Sequence, residues 1–160
     1  MIFKKTLKAL FVIAIIINTI CIYELRRVNR LFRNAEIERN KYNLLFQLMN
    51  EWVNIKQEKK NLAVFFNENG FKRIAIYGMN HVGKTLLKEL EDTDIEVVYG
   101  IDRNANGIIC DIPIKTLNDN LIDVDAIVVT PITYYDEIER QLRGSISCPI
   151  ISLDDIVFDV

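Results

Sequence analysis

From residue 73 onward, short apolar runs alternate with stretches whose apolar residues recur at helical spacing. The predicted strands are Ile74–Tyr77, Val97–Ile101, Gly107–Ile114, Asp125–Thr130 and Pro149–Ile151. Strands that alternate with helices form a parallel sheet with right-handed crossovers. The sequence therefore predicts an α/β fold over residues 59–160: a small, doubly wound, mainly parallel, five-stranded Rossmann-like sheet.

Upstream of the sheet, the chain shows an apolar stripe at heptad spacing. Ten a and d positions fall between residues 25 and 56, and eight of them are apolar: Leu25, Val28, Phe32, Ala35, Tyr42, Phe46, Met49 and Val53. Only Arg39 and Lys56 interrupt the stripe. This spacing predicts a long helix, with residues 26–58 as a helical connector.

Two explanations fit this stripe. It could form a parallel coiled coil, a homodimer through residues 25–56. Alternatively, residues 42–55 could fold down on the domain, because Leu44, Leu48 and Trp52 add a second apolar side. We expect a mixed arrangement in which residues 24–40 stay exposed and residues 42–55 pack against the domain or a partner.

The first residues predict a membrane anchor. Ala9–Tyr23 carries no charge, and with Leu7 and Leu25 the segment reaches 19 residues, about the length that crosses a bilayer. The run ends without the small residues of a signal-peptide cleavage site. We expect a single-pass anchor within residues 1–25 that meets the lipid through residues 7–25. The distribution of basic residues around it favours a cytoplasmic C-terminal domain on the cell membrane.

Charge divides the chain into two parts. Residues 1–71 carry a net charge of +6 and residues 72–160 a net charge of −8, which together give the total of −2. The acidic part argues against nucleic-acid binding, whereas the basic part suits an anionic membrane surface. Three scattered cysteines and a single histidine, His81, predict neither a disulfide framework nor a metal site.

The segment RIAIYGMNHVGKT, residues 73–85, carries the candidate chemistry. A strand, a glycine turn and a helix start offer free backbone N–H groups to a phosphate. Read as a Rossmann turn, the motif is G-x-N-x-x-G, with Asn80 in place of the middle glycine. Read as a P-loop, Gly78, Gly83, Lys84 and Thr85 match G-x-x-x-x-G-K-T.

The position of Asp102 favours the Rossmann interpretation. This aspartate ends the second apolar run and lies 19 residues past Gly83. Dinucleotide-binding folds place an acidic residue about 20 residues on, where it accepts hydrogen bonds from a ribose. Only 75 residues follow Thr85, which leaves little room for a P-loop nucleotidase.

The segments IAIYGMNHVGKTLLKEL, VVYGID, AIVVTP and CPIISLDDI together resemble a family of bacterial Rossmann-like domains. These domains occur in nucleotide-sugar and surface-polysaccharide biosynthesis proteins, and are similar to the NAD- or CoA-binding-like N-terminal domains of sugar epimerases and dehydratases. The resemblance covers about residues 60–160. It implies a phosphate turn at Gly78 and Gly83, a ribose near Asp102, and a crevice lined by Thr130 and Pro131.

The ligand that this resemblance implies is NAD(P) or a nucleotide sugar, without a metal. The candidate binding residues are Gly78, Met79, Asn80, His81, Val82, Gly83, Asp102, Arg103, Thr130 and Pro131. No tyrosine is followed four residues later by lysine, so the acid/base pair of short-chain sugar dehydrogenases is missing. There is no room for a separate substrate domain, and we assign no catalytic residue.

The sequence thus predicts a membrane-anchored binding module that works beside a partner enzyme of polysaccharide synthesis. Two alternatives stay open. One is an enzyme, either a small P-loop hydrolase that uses GMNHVGKT or half of an oxidoreductase. The other is an oligomeric scaffold with an empty pocket.

Overall fold

The structure, a computed structural model, describes the backbone of residues 2–160 and the side chains of residues 15–160. The first helix, α1, spans Ile2–Gln57 without a break. The chain forms two compact units, Met1–Leu45 and Phe46–Val160, so that the end of α1 belongs to the second unit.

The predicted membrane anchor overlaps the part of the chain that is not fully described. Positions 1–14 of the expected anchor, residues 1–25, lie outside the residues whose side chains are described. Within residues 15–160, no helix combines the length and the apolar character needed to cross a membrane.

The second unit confirms the predicted α/β class with five parallel strands. After α1 its helices and strands are α2 (Ala63–Glu68), β1 (Arg73–Tyr77), α3 (His81–Leu90), β2 (Glu96–Ile101), β3 (Ile114–Lys115), β4 (Ala126–Val129), α4 (Tyr135–Leu142), β5 (Ile150–Ser152) and α5 (Leu153–Asp159). The strand order is β3-β2-β1-β4-β5, and every pair is parallel. From the central strand β1 the chain therefore adds β2 and β3 on one side of the sheet. It then crosses back and adds β4 and β5 on the other side.

The third strand differs from the sequence prediction. The apolar run Gly107–Ile114 predicts a broken strand, but only Ile114 and Lys115 pair with β2. Gly107 ends a 3-10 turn, and Ile109 is 93% exposed. Pro113 has no backbone N–H to donate to a neighbouring strand, and its carbonyl accepts a hydrogen bond of 2.9 Å from Gly100 N–H. The run is apolar, but it lies in a surface loop.

Both faces of the sheet are buried. On one face, alternate residues of β1, β2 and β4 pack against Ile138 and Leu142 of α4. Ile74 and Ile76 of β1 belong to the opposite face and are fully buried, as are Leu86 and Leu90 of α3 at 2% exposure or less. Strands buried on both sides read as continuous apolar runs, which explains why β1 and β4 were predictable.

The end of α1 contributes to the hydrophobic core of the second unit. Leu48, Trp52 and Ile55 are buried within the Phe46–Val160 unit. Lys56 Nζ lies 3.0 Å from the carboxylate of Glu89 on α3, and the same carboxylate accepts from Leu62 N–H at 3.3 Å. One acidic side chain therefore connects α1, the turn after it and α3.

Candidate functional site

The carboxyl ends of β1, β2 and β4 form the edge of the sheet where the winding direction reverses. Gly78 follows β1, Asp102 follows β2 and Thr130 follows β4. Since β1 lies between β2 and β4, the topology brings these three positions to one edge. In open doubly wound sheets, ligands bind at this reversal point.

Gly78 is required by the conformation and packing of the turn. Its φ is +92°, in the region that side chains other than glycine rarely adopt. A Cβ added there would lie 2.7 Å from Cδ of Pro131 and 2.9 Å from Oγ1 of Thr130. Thr130 Oγ1 also donates a hydrogen bond of 2.7 Å to the Gly78 carbonyl. The loop after β4 therefore packs directly against the turn after β1.

Gly83 allows α3 to approach the turn. A Cβ at this position would lie 2.1 Å from the carbonyl oxygen of Gly78, closer than any real contact. This is the role of the third glycine in a dinucleotide-binding turn, which permits close packing of helix on strand.

Asn80 caps α3 from the position of the usual middle glycine. It has an extended backbone, with φ −79° and ψ −159°, and its side-chain oxygen accepts from Val82 N–H at 3.1 Å. Among the described residues, the N–H groups of Asn80, His81 and Gly83 find no protein acceptor. Asn80 thus satisfies one donor of the helix start and leaves its neighbours open to a ligand.

Each oxygen of the Asp102 carboxylate accepts a hydrogen bond from a backbone N–H. One carboxylate oxygen accepts from Met79 N–H at 2.9 Å, and the other accepts from Asn104 N–H at 2.9 Å. A carboxylate oxygen can accept more than one hydrogen bond, so both retain capacity for a ligand hydroxyl. The negative charge lies beside Met79 N–H, and this makes that part of the turn unfavourable for a phosphate.

Met79 faces the core and not the crevice. Its side chain is 1% exposed, and a Cβ added to Gly100 on β2 would meet its Cγ at 2.5 Å. Of the residues predicted to bind the ligand, Met79 therefore contributes only backbone, and its side chain anchors the turn.

Tyr77, which the sequence did not single out, lies directly before the turn. Its hydroxyl is buried and has no hydrogen-bond partner among the described residues. Tyr77 is also the main cause of the raised pKa of Arg103, ahead of Glu137, whose carboxylate lies 3.9 Å from that guanidinium. The Tyr77 hydroxyl therefore influences the Arg103 guanidinium electrostatically, although the two groups form no hydrogen bond. A tyrosine that ends an apolar strand beside a glycine turn is the signal that could have identified it.

The two side chains that a P-loop would use are engaged elsewhere. Lys84 Nζ donates to the Ile109 carbonyl at 3.2 Å, and Thr85 Oγ1 donates to the His81 carbonyl at 2.9 Å. The helix begins at His81, two residues before Gly83, so residues 79–82 do not form the phosphate-wrapping loop of that motif.

A small cavity lies away from this edge. It measures about 110 Å³ and is lined in part by Tyr99, Asp123 and Cys148. Tyr99 Oη donates to the Ile122 carbonyl at 2.8 Å, and burial raises the pKa values of both Tyr99 and Cys148. A cavity of this size is too small for a nucleotide, and a half-buried thiol with a raised pKa is a poor nucleophile.

The structure brings most of the predicted site residues together, but not all of them. Backbone at 78–83, the carboxylate of Asp102 and the loop at Thr130 and Pro131 share one edge, whereas the side chain of Met79 leaves it. Among residues 15–160, no group of three or more His, Cys, Asp or Glu side chains is arranged to hold a metal ion. No family model, curated protein or solved structure matches the chain.

Proposed function

We propose that the protein is a membrane-anchored module whose Phe46–Val160 unit binds a nucleotide-type ligand, NAD(P) or a nucleotide sugar. It would serve nucleotide-sugar or surface-polysaccharide metabolism beside a partner enzyme on the cytoplasmic side. The observation that carries the binding proposal is the Gly78 turn, which has a positive φ at Gly78 and Gly83 packed on its carbonyl. The metabolic setting rests on the sequence resemblance.

The open donors support a phosphate site at the start of α3. Asn80, His81 and Gly83 direct unpaired N–H groups from the start of α3, where the helix dipole also favours an anion. Asp102 occupies the Met79 side of the turn, so the phosphate would keep to the helix side. The ribose would then approach Asp102, whose oxygens can accept additional hydrogen bonds.

Binding is tested by calorimetric titration of the full-length chain in detergent with NAD(H), NADP(H), ATP and UDP-sugars. We expect NAD(P) or a UDP-sugar to bind, and we expect Gly78→Val to lose this binding because a β-branched side chain would collide with Pro131. Gly144→Val is the control, since nothing lies within 4 Å of a Cβ added there. The proposal fails if no ligand binds at millimolar concentration.

A non-catalytic scaffold is the second candidate. It is favoured by the contact of Thr130 and Pro131 with Gly78, because the loop after β4 fills space at the reversal point where a ligand would lie. Failure of all titrations while the fold stays intact would support this role.

The membrane part of the proposal rests on the apolar run Ala9–Tyr23. We expect the full-length chain to sediment with membranes and to resist alkaline carbonate, while a chain that begins at Asn40 stays in the supernatant. Recovery of a shortened, secreted form would overturn both the anchor and the cytoplasmic location.

A further inference from the structure

Most of the heptad stripe on α1 is exposed between Leu25 and Val53, and Met49 is half-buried. Leu25 and Phe32 are 63% and 71% exposed in the first unit, and Phe46 and Val53 are 72% and 50% exposed in the second. In the second unit the other apolar side of the helix, at Leu48 and Trp52, is already buried. The exposed residues of the stripe therefore lie on a different side of the helix from Leu48 and Trp52, and the half-buried Met49 lies at the border between the two.

We propose that this stripe is the seam of a parallel, in-register coiled coil between two copies of this chain. The seam includes Asn18 and Cys21, which occupy the a and d positions one heptad before Leu25. From Asn18 to Val53 the register covers five heptads, a length of about 54 Å in a helix. Three to four sustained heptads already indicate a coiled coil. The inference does not depend on nucleotide binding by the second unit.

Charge around the seam favours a second copy as the partner. Arg39 is the charged a position, and Glu36 and Glu38 come just before it, at the e and g positions of the preceding heptad. Glu36 already lies 3.6 Å from Arg39 within the same helix, and all three side chains are exposed. In a parallel dimer the g residue of one helix approaches the next a residue of the other, so Glu38 of each copy meets Arg39 of its partner.

The lysine at the end of the stripe forms an ion pair outside the seam. Lys56 occupies a d position, but its ammonium lies 3.0 Å from Glu89 on α3. The seam can therefore end at Val53 without a buried lysine pair.

Asn18 supplies an independent argument for pairing. It lies in the apolar run with Thr19, whose hydroxyl donates to the Ile15 carbonyl at 2.8 Å and so needs no partner outside the helix. The Asn18 side chain is exposed, so its amide is accessible to a second helix. A single asparagine at an a position pairs with its counterpart and fixes register in coiled coils, and polar amides also link helices within lipid.

Cys21 provides a native probe of this register. In a parallel, in-register dimer its two copies face each other across the seam, within the short Cα separation that a disulfide needs. The full-length chain carrying Cys110→Ser and Cys148→Ser is oxidised mildly in membranes at low protein density. The matched control carries Cys21→Ser and Ile20→Cys in addition, which moves the thiol to the outward c position.

We expect the chain that retains Cys21 to give several-fold more disulfide dimer than the Ile20→Cys control. Equal yields, or a disulfide to a different protein, would overturn the proposal. A second measurement uses the chain with its cysteines intact: sedimentation equilibrium in detergent should show dimers, reduced to monomers by Phe32→Glu but retained in Asn34→Glu at a c position. A monomeric wild-type chain, or equal loss in both variants, would also overturn it.

Discussion

The carboxylate of Asp102 accepts a hydrogen bond of 2.9 Å from the backbone N–H of Met79. The residue that follows β2 therefore holds the turn that follows β1. The same side chain that the sequence places near a ribose also stabilises the turn itself, so its substitution should affect both folding and binding.

Asp102→Ala should lower nucleotide affinity by about ten- to a hundredfold, the loss of roughly 1.5–3 kcal/mol expected for hydrogen bonds to a charged group. Lys84→Ala should change affinity little, because its ammonium binds the Ile109 carbonyl. Calorimetry on both full-length variants, with and without Mg²⁺, measures the difference.

The opposite ranking would support the P-loop interpretation. Mg²⁺-dependent binding of ATP or GTP that is lost in Lys84→Ala and retained in Asp102→Ala is the contradictory result. Because Asp102→Ala also leaves Met79 N–H without its acceptor, fluorescence of Trp52, the single tryptophan, should be recorded to verify the fold.

The sequence was sufficient to predict β1 and β4 because strands buried on both faces leave uninterrupted apolar runs. It was not sufficient for the third strand. Ile108 and Ile109 are as apolar as the residues of a buried strand. They lie in a loop because of the 3-10 turn at Ala105–Gly107 and because of Pro113, and the periodicity of apolar residues reveals neither effect.

The places of these residues in the fold were predictable, but their contacts were not. Asp102 follows β2 (Glu96–Ile101), as its position after the second apolar run predicts, and it lies next to the turn. Whether its carboxylate faces a ligand or Met79 N–H depends on the φ and ψ angles of the turn. In the same way, the burial of Met79 depends on the missing side chain at Gly100, which is a relationship between the turn after β1 and strand β2.

Gly83→Ala should destabilise the Phe46–Val160 unit by about 1–3 kcal/mol, the usual cost of overpacking, despite the better helix propensity of alanine. The added Cβ would lie 2.1 Å from the Gly78 carbonyl, so α3 must move away from the turn. Urea unfolding followed by Trp52 fluorescence measures the change. Gly144→Ala is the control, and equal stabilities of the two variants would contradict the close packing.

Glu89→Ala should destabilise the same unit by about 1–3 kcal/mol, because Leu62 N–H loses its acceptor in a partly buried place. The side chain of Glu89 is only 8% exposed. Glu58→Ala removes a carboxylate from the exposed ion pair with Lys60 and should change stability by less than about 0.5 kcal/mol. A smaller effect for Glu89 than for Glu58 in urea unfolding would be inconsistent with its role.

Asp125→Asn should make stability less dependent on acid pH. Hydrogen bonds from Arg73 N–H and Lys72 N–H, both 2.7 Å, lower the pKa of Asp125 below its ordinary value of 3.8. A lowered pKa contributes stability that is complete above the ordinary value and is lost as the pH falls through the lowered one.

The difference in unfolding free energy between wild type and Asp125→Asn should therefore be constant near neutral pH and shrink in acid, below about pH 4. Asp123→Asn, the same change two residues earlier, is the control. A difference that does not shrink in acid would show that the carboxylate is not responsible.

The thioether of Met79, seated against Gly100, also has a kinetic consequence. A loop fixed by its own buried side chain has few alternative shapes, so the Met79 amide should exchange its hydrogen slowly while those of His81 and Gly83 exchange fast. A ligand would then meet a turn that is already formed. Its observed association rate should rise linearly with ligand concentration, without the plateau that a slow rearrangement imposes.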